Sequence, residues 1–269
     1  MIPSSDKLSP YLRYFFASYL PEHRDVSPNT IASYKQTFLQ LLRYWKLRHP
    51  DQADPNLDQF LPEPLLDFLS YLEKTLGNTA STRNTRLAAL KSFFKMVGLL
   101  QPRYQDQCRQ IIALPTKRAR RREKPDFLEK SEVDAVFGAV DTRTADGYRD
   151  LCILRTLYNT GARASEICSL LIANLDFERK QLAIYGKGRK ERTVPLWNST
   201  IALLRTYLQS ERRAPLPRFR DFLFINQRRA RLTRSGLFRL CRRYLMQAAS
   251  TAPGIERKKM SPVHLWRYT

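Results

Sequence analysis

Leu157–Ile167 reads LYNTGARASEI, a glycine, an arginine and a glutamate set between two apolar runs. Just upstream, YRDLCILRTLY places Leu151, Leu154, Leu157 and Tyr158 at the three- and four-residue spacing that lines one face of a helix, so this helix is expected in a core. Gly161 stands where a helix C-cap wants a residue free to adopt positive φ, and Ser165-Glu166 opens a second apolar stretch, EICSLLIANL. Arg163 therefore falls in a tight connection between two packed helices. A guanidinium held there by its neighbours is preorganised for an anion, and a carboxylate at Glu166 can orient it. A structural Arg–Glu pair bridging two helices fits the same stretch.

At 269 residues the chain exceeds the usual single-domain size, and two domains are expected. Hydrophobic residues make up 43%, enough to bury real cores. Against 25 Asp and Glu stand 47 Lys and Arg, a formal charge of +22. Such a balance speaks to partners and solubility and not to fold, and it implies a polyanion. Nucleic acid comes first. An anionic membrane surface comes second, but no segment approaches the uninterrupted apolar length of a spanning helix. The opening residues, MIPSSDKLSPYLRYFF, lack a signal-peptide pattern, so a soluble, cytoplasmic or nucleoid-associated protein is expected. Cys108, Cys152, Cys168 and Cys241 are scattered and read as small core residues, neither disulfides nor metal ligands. His23, His49 and His264 form no cluster, and no metal site is expected.

The first part of the chain is a series of helical patterns. SPNTIASYKQTFLQLLRYW carries a capping Ser27, a proline at the first helical position, and Ile31, Phe38, Leu41, Leu42 and Trp45 on one side. PEPLLDFLSYLEKTL follows with Leu65, Leu66, Leu69 and Leu72, stopped by Gly77. TASTRNTRLAALKSFFKMVG turns Leu87, Leu90, Phe94 and Val97 inward and leaves Arg83, Arg86, Lys91 and Lys95 for other directions. With an opening helix near LSPYLRYFFASYL, the pattern predicts a bundle of about four helices. Ser81, Thr82, Arg83, Thr85, Arg86 and Lys91, at the start and along one helix, suit contact with DNA phosphates; a solvated helix face fits them too.

Between Pro115 and Pro125 lies PTKRARRREKP, in which six of the eight residues from Lys117 to Lys124 are Lys or Arg. Self-repulsion keeps such a run extended until a polyanion orders it. Residues 115–126 are therefore read as a basic linker between an N-terminal helical domain at 1–114 and a second domain at 127–269. Lys117, Arg118, Arg120, Arg121 and Arg122 would lie along a DNA backbone. Composition alone leaves a nuclear-localisation reading open.

Beyond the linker, DFLEKSEVDAVFGAV begins a new helical unit, and the two helices around Arg163 follow. In QLAIYGKGRKERTVPL, Leu182 and Ile184 alternate with Ala183 and Tyr185, and RTVPL returns as a second strand, a β-hairpin with Lys187 at its tip. Glycines at 186 and 188 let a backbone come close to another molecule, but their spacing excludes a Walker A loop. NSTIALLRTYLQ and TRSGLFRLCRRYLMQAA read as capped helices, the second presenting Arg239, Arg242 and Arg243 to DNA. The second domain is expected to be mainly helical with a small antiparallel sheet. In MSPVHLWRYT, Ser261 and Pro262 read as a helix start, which sets His264 and Arg267 three apart on one face.

One chemistry uses all of these groups. When a phosphodiester is attacked, its two non-bridging oxygens gain charge, and forked guanidinium donors match that geometry better than ammonium groups. Two arginines and an imidazole make a clamp without metal, and a lysine can protonate the departing oxygen.

TGARASE, GKGRKER.VPL and HLWR, in this order and spacing, resemble the tyrosine recombinase (phage integrase) family, and the N-terminal bundle resembles its SAM-like core-binding domain. The resemblance covers essentially the whole chain. It implies an N-terminal helical domain and an α+β catalytic domain closed around duplex DNA. It makes Arg163 the first catalytic arginine, Lys187 the hairpin lysine, and His264 and Arg267 the histidine and second arginine of the H-x-x-R motif. Glu166 supports the site. Strands would be cleaved one at a time through a 3′-phosphotyrosine and exchanged through a Holliday junction in a homotetramer on paired sites, with no cofactor.

Two departures stand out. The family usually has histidine right after the second arginine, where this chain has Tyr268, and no tyrosine follows at the family's nucleophile position before Thr269. Adjacent to Arg267, Tyr268 projects from a different helix face. The expectation is a recombinase truncated before its nucleophile and inactive in cleavage as it stands. A non-catalytic DNA-binding protein derived from a recombinase and a type IB topoisomerase-like enzyme are the alternatives.

Overall fold

Ser27 accepts a hydrogen bond from the Thr30 amide and Pro28 takes the first helical position, so the chain enters α2 (Pro28–Arg48) as the capping pattern predicts. The computed structural model describes residues 3–118, 127–186 and 191–255. The chain divides into two units, Met1–Arg121 and Arg122–Thr269, the division falling within the basic stretch.

In the first unit, α1 (Leu8–Tyr14) runs on into a π-helical segment, Phe15–His23, and α2, α3 (Pro62–Lys74) and α4 (Ala80–Leu100) follow. Phe15, Phe38 and Phe93 form the centre of the core, with ring centroids of Phe15 and Phe93 at 5.4 Å edge to face, and Phe38 and Phe93 at 5.0 Å. The expected bundle of about four helices gains a fifth, α5 (Gln105–Ala113), which packs on α4. Its sequence, QDQCRQIIA, buries only Cys108 and Ile111, too few apolar residues to announce a helix. Two further expectations are corrected. Leu66 faces outward on α3, with Phe68 buried instead, and Arg83 and Arg86 on α4 turn into the unit.

In the second unit, α6 (Lys130–Gly138), α7 (Ala145–Thr160) and α8 (Ala164–Ser169) precede a three-stranded antiparallel sheet in the order β1 (Leu175–Asp176), β2 (Gln181–Tyr185), β3 (Glu191–Pro195). The β2–β3 register pairs Gln181 with Pro195 and Tyr185 with Glu191, so a hairpin forms where alternation predicts one. Then come α9 (Asn198–Thr206) and α10 (Arg234–Ala248), the latter capped by Thr233, which accepts from the Gly236 amide. Leu154, Leu157, Leu182, Ile184, Leu204, Leu223, Leu237 and Leu245 are buried together in one core. All four cysteines are buried with free thiols. Burial pushes Cys168 up to about 11 and Cys241 up to about 12, so both behave as small apolar residues at neutral pH. No described helix is long and apolar enough to cross a membrane.

Candidate functional site

Gly161 ends α7 in the left-handed region, φ +58°, and its amide donates to the Leu157 carbonyl. A side chain there would be strained. The reversal delivers Arg163 to the N-cap of α8, directly over its first turn. Glu166 then receives three donors. The Arg163 amide donates to Glu166 Oε2 at 2.8 Å, Arg163 Nη1 donates to Oε1 at 2.8 Å, and Arg192 Nη2 donates to Oε2 at 2.7 Å.

The carboxylate is closed off while its partners stay open: the Glu166 side chain is 3% exposed, that of Arg163 49%, and that of Arg192 38%. Burial alone raises the Glu166 pKa, but the hydrogen bonds from Arg192 and from the Arg163 amide and guanidinium outweigh it and hold the carboxyl at about 2. Glu166 is thus ionised throughout the physiological range, and two guanidinia around one carboxylate leave a net positive charge toward solvent. An anion that meets Arg163 finds donors already fixed in place.

Arg192 was not among the residues expected from the sequence. The available signal was the period of two on β3: Arg192 and Val194 are both half-buried on one face, between the exposed Glu191, Thr193 and Pro195. Lys187, His264 and Arg267 lie outside the described residues, as do Arg120, Arg121 and Arg122.

A second basic feature lies on α10. A cleft of about 550 Å³ is lined by Arg149, Arg228, Arg239 and Arg243 together with the Thr233–Gly236 first turn of α10; neither Arg163 nor Glu166 lines it. Arg239 and Arg242 are exposed as expected. Arg243 is also committed inward, its Nη2 donating to the fully buried Asp150 carboxylate and to the Tyr244 hydroxyl.

In the first unit, Ser81 and Thr85 are exposed in the opening turns of α4, whose N-cap is Thr79. Thr82 is bound to that cap through its amide, and Lys91 is half-buried. Arg83 is only 3% exposed, and its Nη1 donates to the Pro115 carbonyl at 3.0 Å and to Asn84 Oδ1 at 3.3 Å. Arg86 Nη1 donates to the Ser33 carbonyl and the Thr37 hydroxyl on α2, and burial lowers its pKa. Both arginines tie parts of the first unit together through these bonds. The start of the basic stretch is pinned as well: Asn84 exchanges hydrogen bonds with the Lys117 backbone, and Lys117 Nζ meets Glu73 at 2.6 Å. Arg118 is exposed. Among the described residues no group of three or more His, Cys, Asp or Glu is arranged to hold a metal ion.

The family model described as the phage integrase family matches residues 126–265, a span that includes Arg163, Glu166, Lys187 and His264. The phage integrase N-terminal SAM-like domain matches residues 15–97. This chain belongs to the phage integrase family. Among curated tyrosine recombinases and integrases of that family, it is similar to the putative integrase/recombinase y4rC of Sinorhizobium fredii, 36% identical over 97% of this chain and 78% of that relative. It is also similar to the tyrosine recombinase XerC of Bacillus pumilus, 29% identical over 89% of this chain and 77% of that relative. Its fold matches that of the XerH site-specific recombinase bound to a palindromic difH substrate. The TM-score is 0.68, at 23% identity, covering 91% of this chain and 68% of that one. The phage integrase fold, an N-terminal SAM-like helical domain followed by a helical domain with a small antiparallel sheet, is thus that of this chain.

Proposed function

We propose that this chain binds duplex DNA at a specific site and serves site-specific recombination, in which strands are cleaved and rejoined through a 3′-phosphotyrosine. The observation that carries the reading is the Arg163–Glu166 pair: a half-open guanidinium, bound at 2.8 Å to a carboxylate that is closed to solvent, in the turn that carries the family's R-x-S-E pattern. In the reaction Arg163 and Arg267 take the two non-bridging oxygens as they gain charge, His264 donates to the same centre, and Lys187 protonates the departing 5′ oxygen. Ser81, Thr85, Lys91, Lys117, Arg118, Arg239 and Arg242 supply phosphate contacts, joined by Arg120, Arg121 and Arg122. The working assembly is a homotetramer on two paired sites, in the cytoplasm and on the nucleoid.

A second reading is a non-catalytic DNA-binding protein that has kept the clamp. Its support is the cleft on α10, where Arg228, Arg239 and Arg243 surround the first turn of a helix, a surface that can hold phosphates with no part in strand cleavage.

The test begins with selection of bound sequences from a randomised duplex library. A nicked version of the selected site is then incubated with the protein expressed from its complete reading frame and run on a denaturing gel. Sequence-selective binding together with a covalent adduct supports the recombinase reading. Selective binding without an adduct supports the second reading, and no preference for duplex DNA overturns both.

A further inference from the structure

We propose that Arg192 is a positioning residue for strand cleavage: through the Glu166 carboxylate it fixes the Arg163 guanidinium and ties the β2–β3 hairpin to the Arg163 turn. The inference rests on the recombinase reading of Arg163. Arg192 is the last residue of GKGRKER, a motif in which only Lys187 was given a part; its bond to Glu166 assigns this one.

A helix of six residues is too short to hold an i,i+3 pair rigid by itself, so Arg163 and Glu166 alone would leave the guanidinium free to swing into solvent. Arg192 supplies the missing constraint. Its Nη2 reaches Glu166 Oε2 from a strand 26 residues away, while the Arg163 amide occupies the same oxygen and Arg163 Nη1 occupies the other. Donors from two separate elements thereby set the plane of the carboxylate. Glu166 is closed to solvent, and among the described residues the charged groups that meet its carboxylate are the two guanidinia. Removing Arg192 leaves a closed-off carboxylate short of a donor, and Arg163 is the group able to move toward it and away from the phosphate. A group that acts this way changes how well the transition state is held and changes DNA affinity little.

The test is a double-mutant cycle with Arg192→Met, Arg192→Lys, Glu166→Gln and Arg192→Met/Glu166→Gln in the protein expressed from its complete reading frame, reading covalent adduct formation on the nicked selected site beside affinity for the intact site. Arg192→Met is expected to slow adduct formation about tenfold or more while affinity changes by less than about twofold, and Arg192→Lys to recover part of the rate. The double variant should be no slower than Glu166→Gln, because Arg192 acts through that carboxylate. Additive losses, or a loss of affinity as large as the loss of rate, would overturn the proposal. The parent and the two Arg192 variants are followed without DNA by carbon NMR titration of the Glu166 carboxyl. It should titrate at higher pH in Arg192→Met than in the parent, and identical titrations would also sink the inference. A parent protein that forms no adduct while its Glu166 titration still shifts overturns the recombinase reading and leaves the Arg192–Glu166 coupling standing.

Discussion

Tyr244 on α10 donates its hydroxyl to Asp150 on α7 at 3.0 Å, across 94 residues of sequence. Asp150 is fully buried, and Arg149, itself 7% exposed, donates to its other oxygen from Nε at 2.9 Å and Nη2 at 2.6 Å. The network joins the helix that leads to Arg163 to the helix that presents Arg239 and Arg242. Removing the carboxylate leaves the buried Arg149 guanidinium held through Nη1 by Asp146 and short of a partner at Nε and Nη2, so Asp150→Ala should cost about 3 kcal/mol, against about 1 kcal/mol for Tyr244→Phe. The exposed Arg143–Asp141 pair is the control, and Arg143→Ala should leave stability unchanged. Urea unfolding midpoints measure all three, and equal midpoints would contradict the ordering.

Glu166 gives the unit an acid-sensitive joint. Its carboxyl is held at about 2 in the fold against an ordinary value of 4.5, so the unfolded chain takes up the proton first as pH falls. The stability contributed by the ionised group is present above pH 4.5 and is lost as pH drops toward 2. Glu166→Gln should flatten the fall in urea midpoint over that window relative to the parent. Parallel curves would mean that the carboxylate is not held by its two arginines.

Arg83 separates stability from DNA contact. Buried against Pro115 and Asn84, its removal should lower stability by about 1–3 kcal/mol, since it leaves the Pro115 carbonyl short of a donor. The dependence of DNA affinity on salt should stay as it was. A shallower salt slope in Arg83→Ala with unchanged stability would return Arg83 to the DNA-facing set.

The basic stretch makes the opposite prediction. Changing Lys117, Arg118, Arg120, Arg121 and Arg122 to Ala should leave the fold intact and reduce the salt slope of DNA binding by about 0.9 for each phosphate that is no longer neutralised. Lys117 counts least, because its ammonium already meets Glu73 at 2.6 Å. An unchanged slope would place the stretch off the DNA.

What could be read from the sequence followed from local chemistry. Gly161, Arg163 and Glu166 lie within one turn, where capping and φ preferences act between near neighbours, and the structure repeats that reading in detail. Ser27 and Pro28 announced α2 for the same reason. Arg192 could not be read this way, because a bond from a strand to a helix cap depends on how the hairpin packs and not on spacing. Arg83 misled because an arginine on a helix reads as a surface residue until the segment that covers it is known, and here the cover is Pro115, thirty-two positions on. The helix α5 was hidden by its polar composition, since two buried residues define no period.

The central claim is that Arg163 serves phosphoryl transfer and is more than an anchor for DNA. Arg163→Lys keeps the charge and loses the planar fork, which matters most when both non-bridging oxygens carry transition-state charge. The decisive measurement compares the parent and Arg163→Lys, expressed from the protein's complete reading frame, for covalent adduct formation and for affinity on the same selected site. Adduct formation is predicted to fall about 100-fold or more while affinity stays within about threefold. Equal losses in both would make Arg163 an ordinary phosphate contact, and a parent protein that binds its site without ever forming an adduct would contradict the account.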